Sequence, residues 1–156
     1  ASGFGMKVLA YDPYVKELPE EFQSYVTLCG ENEVISGCDF LSLHLPLNDE
    51  TRNMISAPQL ASMKAGAYVI NAARGGIVNE KDLYEALVSG HIAGAAMDVS
   101  EVEPMAEENP LRTLDNVIIT PHIGMYSKEA IGAVSLICAQ NVAACAAGAE
   151  LKFQVV

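Results

Sequence analysis

Three polar residues in this chain each stand just past a short apolar run. Arg74 follows Ala67-Tyr-Val-Ile-Asn-Ala-Ala73, Glu103 follows Ile92-Ala-Gly-Ala-Ala-Met-Asp-Val99, and His122 follows Val117-Ile-Ile-Thr-Pro121. If the runs are parallel strands, their C-terminal ends lie along one edge of a sheet, the edge where open α/β sheets bind ligands. A cation, a carboxylate and an imidazole brought to one edge could anchor an anionic substrate and move a proton beside it. An arginine fork can hold a carboxylate or keto acid through two parallel hydrogen bonds. Arg74 is equally readable as half of a surface ion pair. A carboxylate behind His122 would fix its tautomer and stabilise the imidazolium. The sequence leaves open whether Asp98, Glu101 or Glu103 is that partner. His44 reads as half-buried and either structural or cofactor-lining, and His91 as solvent-exposed at a helix end.

The elements that must position these residues alternate along the chain. Strands are expected at Lys7–Tyr11, Tyr25–Leu28, Phe40–Leu45, Tyr68–Asn71, Ile92–Met97 and Val117–Ile119. They are short, continuously apolar and rich in β-branched residues, as strands covered on both faces are. Helices fit between them. Ser56-Ala-Pro-Gln59 reads as a capping box, with Gly66 closing that helix. Asn79 caps Glu80–Ser89, and Gly90 stops it. A last helix over Ser127–Ala147 carries Ile131, Val134, Cys138, Val142 and Cys145 as one apolar stripe. The tail Glu150–Val156 reads as extended, and Glu101–Pro110 as a long acidic loop. The alternation predicts an α/β fold: a doubly wound parallel sheet with helices on both faces.

Bulk properties narrow the function classes. Nine Lys and Arg against 20 Asp and Glu give a net charge of −11, which argues against nucleic-acid binding. No unbroken apolar run approaches the roughly 18 residues that span a bilayer, and the N-terminus lacks the pattern of a secretory signal. Cys29, Cys38, Cys138 and Cys145 lack Cys-x-x-Cys and zinc spacing, so no metal site is expected and the cysteines read as reduced core residues. A soluble, cytoplasmic protein without a membrane or nucleic-acid partner fits these properties.

Asp12 ends the first strand. A carboxylate there can accept the ribose hydroxyls of an adenine dinucleotide and repel a 2′-phosphate, favouring NAD. It is also a plain turn residue before Pro13. The phosphate-binding glycine turn should begin roughly 20 residues earlier, but only 11 residues precede Asp12. Gly3-Phe-Gly5 lacks the third glycine and enters a strand rather than a helix.

Several segments together resemble the D-isomer-specific 2-hydroxyacid dehydrogenases, phosphoglycerate dehydrogenase-like in kind. These are Val69-Ile-Asn-Ala-Ala-Arg-Gly-Gly-Ile-Val-Asn-Glu-Lys-Asp-Leu83, Gly94-Ala-Ala-Met-Asp-Val-Ser-Glu-Val-Glu-Pro104 and Thr120-Pro-His-Ile-Gly124. Ser42-Leu-His-Leu-Pro-Leu-Asn-Asp-Glu-Thr-Arg52 and Tyr11-Asp-Pro-Tyr14 fit as well, in the expected order. The resemblance implies that Arg74 binds the substrate's carboxylate and carbonyl, that His122 is the general acid/base, and that Glu103 is its partner. It implies that Asp12 holds the adenosine ribose of NAD. Leu45, Pro46, Ala72, Ala73, Asp98 and Gly124, with Arg74 and His122, would line the rest of the cofactor site. The substrate implied is a small 2-keto or 2-hydroxy acid. Ser100 stands where this family often has an aromatic, and Met125-Tyr126 where small residues are usual.

The resemblance also implies what is missing. Residues 1–156 correspond to a partial dinucleotide-binding domain without the N-terminal catalytic domain, the glycine loop or the central first strand, and are expected to be inactive alone. Three outcomes follow for the orphaned strands: direct pairing of Lys7–Tyr11 with Phe40–Leu45, edge exchange in a homodimer, or membership of a longer protein. A dinucleotide-sensing interaction module like the C-terminal-binding corepressors is the alternative function, and a non-functional truncated product a third.

Overall fold

The computed structural model describes residues 1–151 and divides them into two compact units, Ala1–Pro121 and the residues from His122 onward. All six expected strands form. They are β1 (Val8–Ala10), β2 (Val26–Leu28), β3 (Phe40–Leu43), β4 (Ala67–Asn71), β5 (Ile92–Met97) and β6 (Val117–Ile119). Three helices complete the first unit: α1 (Glu31–Gly37), α2 (Ala57–Ser62) and α3 (Glu80–Val88). The second unit holds α4 (Lys128–Ala146).

The strands make two parallel sheets. One is the pair β1-β2, and the other runs in the order β3-β4-β5-β6. The first of the three expected outcomes, direct pairing of the first strand with Phe40–Leu43, does not occur. β1 hydrogen-bonds to β2 alone, in the register Val8 to Val26 through Ala10 to Leu28. The strand that would join the two sheets is not among the described residues, so each keeps an unpaired inner edge.

The core lies on one face of the four-stranded sheet. Leu41, Leu43, Val69, Ala95 and Met97 pack with Ile35 of α1, Leu60 of α2, and Leu83 and Leu87 of α3. Burying each Leu, Ile or Val contributes about 1.5–3 kcal/mol, and this cluster is where the first unit gains most. The opposite face differs from the expectation of cover on both sides. Phe40 and Tyr68 stack in the open, with ring centroids 5.1 Å apart, and Ile118 is 68% exposed. Alternate residues of these apolar strands therefore meet solvent within the first unit.

Local chemistry sets the helix ends. The capping box at Ser56 and Gln59 is formed, with Pro58 in the first turn. That helix stops at Ser62, earlier than expected, because Met63 turns extended. Gly66, at φ 84°, closes the turn that follows rather than the helix. Asn79 accepts the Asp82 N–H as predicted. Ser127 caps α4 by accepting from Ala130 N–H. Near this cap, bonds from its own backbone N–H and from the Ser127 hydroxyl hold the Glu129 carboxyl below the usual carboxylate range.

α4 corrects one sequence expectation. Polar residues interrupt it, so no unbroken apolar run exists. Over an 18-residue stretch of this 19-residue helix, however, a mean hydropathy of 1.4 makes it long and apolar enough to cross a membrane by length and composition alone. Many of those residues are alanines, which suit close packing as well as lipid. The cysteines also depart from expectation. Cys138 and Cys145 are exposed, Cys29 and Cys38 only half-buried, and all four are free thiols. Burial pushes the Cys38 thiol up. Of the expected extended tail, Lys152–Val156 lies outside the described residues.

Candidate active site

Because β3 to β6 run parallel, their C-terminal ends share one edge, and the predicted residues leave from it. Leu45 and Pro46 follow β3, and the Pro46 carbonyl accepts the Thr51 hydroxyl at 2.8 Å. Ala72, Ala73 and Arg74 follow β4, while Asp98, Ser100 and Glu103 follow β5. His44 is exposed and its Nε2 shares a 2.8 Å hydrogen bond with the Ser42 hydroxyl. Two of the three histidines thus depart from burial-based expectations. His44 is not half-buried, and His91 is partly buried, its Nε2 having no hydrogen-bond partner.

The Arg74 loop is held by a residue that sequence reasoning did not single out. Asn71, the last residue of β4, is 1% exposed. Its side-chain carbonyl accepts the Ala73 N–H at 3.1 Å, and its amide donates to the Arg74 carbonyl at 3.0 Å. One buried amide therefore satisfies both backbone groups of the turn, which would otherwise be costly to bury. Its own carbonyl accepts the Asp98 N–H at 2.9 Å, tying the end of β4 to the end of β5. The Arg74 guanidinium folds back onto the Ala73 carbonyl at 2.6 Å. A polar residue closing an otherwise apolar strand was the signal available for Asn71.

Gly75 joins the two loops. A Cβ built there would lie 1.8 Å from the Ser100 carbonyl oxygen. The glycine is required by this close approach of two backbones. Overpacking typically costs 1–3 kcal/mol and at times more, so Gly75→Ala is expected to lose about 3 kcal/mol of stability. Urea denaturation of the variant against the parent chain measures it, and an unchanged midpoint would contradict the contact.

The three candidate carboxylates have different hydrogen-bond partners. Glu101 is committed elsewhere: its carboxylate accepts the Glu80 N–H at the start of α3, at 3.0 Å. Asp98 accepts the Thr120 hydroxyl at 2.5 Å, bridging the ends of β5 and β6. Glu103 is exposed, and one of its oxygens accepts the Ser100 N–H at 3.2 Å. Ser100 is itself buried, and its hydroxyl donates to the Val102 carbonyl at 2.8 Å. Arg74 and Glu103 thus stand on adjacent strand ends whose loops touch through Gly75 and Ser100.

His122 opens the second unit, three residues after β6. Its backbone has φ 54°, in the left-handed region that non-glycine residues rarely adopt. Such positions cost of order 1–3 kcal/mol and cluster at functional sites. Gly124 lies in the same exposed turn.

A dinucleotide can be tested against these residues group by group. Asp12 stands at the end of β1, where one oxygen accepts the Tyr14 N–H at 2.8 Å and the other carboxylate oxygen can meet a ribose hydroxyl. Hydrophobic and small residues after β3 and β4 suit the nicotinamide side. The diphosphate is different, since it needs open backbone N–H groups at a helix start. Among the described residues the helix starts are acidic or already capped. α1 opens on Glu31 and Glu33, α2 on its own capping box, α3 on Asn79 and Glu80, and α4 on Ser127 and Glu129. Gly3 and Gly5 form a short 3-10 turn into β1, which supports rejecting them as a phosphate loop. The residues present fit the ribose and the nicotinamide side of NAD and do not fit its diphosphate.

The family model for the D-isomer specific 2-hydroxyacid dehydrogenase NAD binding domain matches residues 1–124. The chain belongs to this family. It is 45% identical over 142 residues to a D-3-phosphoglycerate dehydrogenase of Methanocaldococcus jannaschii, covering 91% of this chain and 27% of that protein. It is 46% identical over 134 residues to a hydroxypyruvate reductase of Thermotoga maritima, covering 83% of this chain and 42% of that one. A crystal structure of D-lactate dehydrogenase with NAD+ from Lactobacillus jensenii superposes with a TM-score of 0.87 at 34% identity, covering 99% of this chain and 50% of that one. The chain therefore spans half or less of these relatives and corresponds to their NAD-binding portion.

Proposed function

We propose that this chain is part of an NAD-dependent enzyme that moves a hydride between NAD(H) and a D-2-hydroxy or 2-keto acid of the phosphoglycerate, hydroxypyruvate or glyoxylate kind. The observation that carries the reading is the pairing of Arg74 and Glu103 on adjacent strand ends, interlocked through Gly75 and Ser100. Arg74 holds the acid's carboxylate through its guanidinium fork. His122 gives a proton to the carbonyl oxygen in reduction and takes it back in oxidation, with Glu103 orienting its ring. The nicotinamide, when bound, supplies or takes the hydride. The carboxylate, the proton and the ring orientation are the tasks of this chain's own residues.

The reading assigns residues 1–156 to one partial dinucleotide-binding domain and leaves the chain alone without turnover, because the diphosphate cradle lies outside it. A homodimer fits the unpaired strand edges and the uncovered Phe40, Tyr68 and Ile118, since such surfaces drive association. A cytoplasmic location fits the free thiols and the metabolic dehydrogenases among the relatives.

The test is a chimera in which this chain replaces the matching segment of the Thermotoga maritima hydroxypyruvate reductase. NADH oxidation with hydroxypyruvate is expected from the chimera and not from the chain alone. A folded chimera that binds NADH but leaves hydroxypyruvate unreduced would refute the assignment.

A further inference from the structure

The loop that carries Glu103 runs from Glu101 to Asn109 and is mostly exposed coil. A single side chain from another element touches both of its ends. The Glu80 carboxylate, in the first turn of α3, accepts the Glu101 N–H through Oε1 at 2.6 Å. Its other oxygen, Oε2, accepts the Asn109 side-chain amide at 2.6 Å. The contact at the near end is reciprocal, because the Glu80 N–H donates to the Glu101 carboxylate. At the far end Asn109 also caps the 3-10 turn Pro110–Thr113 by accepting the Leu111 N–H, and Leu111 is fully buried. The neck of the loop is thus closed by one carboxylate and anchored to the core on either side.

We propose that Glu80 is a positioning residue for Glu103. Its carboxylate clips the two ends of the Glu101–Asn109 loop, and the clip passes to Glu103 through Ser100, whose backbone lies against Gly75 and whose N–H donates to the Glu103 carboxylate. Loop closure fixes a segment by removing its alternatives, and bonds to an ionised acceptor are the strong ones. Within the loop the Arg112 guanidinium also donates to the Met105 carbonyl at 3.2 Å. Val102 is 69% exposed and Glu101 meets solvent. This inference rests on the reading of Glu103 as the partner of His122 and adds a residue that touches neither substrate nor cofactor.

The experiment uses the 156-residue chain with Glu80→Ala, Glu80→Gln and Asn109→Ala. Amide exchange at Ser100 and Glu101 is expected to quicken about tenfold in Glu80→Ala. In the chimera, Glu80→Ala should lower kcat for hydroxypyruvate reduction with KM little changed, and Glu80→Gln should recover part of the loss. Glu80→Gln keeps one carbonyl oxygen for Glu101, and Asn109→Ala loses one end alone, so both should give smaller changes of the same sign. Exchange at Val69 and Ala95 in the core should stay as in the parent, which separates loss of the clip from general destabilisation. Glu80→Ala with unchanged Ser100 exchange and an unchanged kcat in the chimera would overturn the clip. Glu103→Gln that leaves the chimera's hydroxypyruvate reduction intact would overturn the proposal from the other side, by removing the role that the clip serves.

Discussion

His122→Gln in the chimera is expected to lower kcat for hydroxypyruvate reduction about 10²–10⁴-fold, the usual span of general acid–base assistance. KM for the keto acid should change far less, because Arg74, the residue proposed to hold the carboxylate, lies on a different loop. The amide of glutamine can still donate a hydrogen bond but cannot deliver the proton. Two features make His122 the position to test. It comes three residues after the end of β6. Its backbone is also held in a left-handed conformation that only a defined turn sustains. A kcat within threefold of the parent chimera would remove His122 from the proton-transfer role.

The second large effect concerns the cofactor. The chain alone is expected to bind NAD at least a hundredfold more weakly than the chimera, a difference of about 2.8 kcal/mol. The cause is the diphosphate. Among the described residues the helix starts are filled by acidic side chains or by their own caps, and a like charge at a helix start repels a diphosphate that the backbone would otherwise attract. Titration calorimetry of chain and chimera under one buffer and salt condition measures the difference. Equal affinities would mean that the phosphates are held somewhere other than at a glycine turn.

Much of this arrangement was legible in the residues. The six strands could be read because each is a short β-branched or small apolar run bounded by turn residues, and Ile92–Met97 and Val117–Ile119 form with the bounds expected. The open face was not legible. Strand composition such as Phe40-Leu-Ser-Leu43 or Tyr68-Val-Ile70 records what a complete fold would cover, and it says nothing about whether the cover lies within residues 1–121. The clamp at Asn71 and the clip at Glu80 were hidden for another reason. An Asn at the end of a strand and a Glu in the first turn of a helix are each sufficiently explained by local preference. Only the contacts across 20 or more residues, Glu80 with Glu101 and with Asn109, show a second use. Glu103 could be preferred over Asp98 and Glu101 from the sequence only through resemblance.

The small β1-β2 pair has a thermodynamic consequence. None of its six residues is buried, whereas the four-stranded sheet is built on a dense core. Opening free energies scale with such differences, so the pair should open and close many times for each opening of the core. Asp12, the residue proposed to hold the ribose, rides on this labile pair. Any ligand that grips Asp12 must first pay for stilling it, and each such binding event then steadies β1 and β2 in return. Affinity for the adenosine end and local order of the first 30 residues are therefore two readings of one equilibrium.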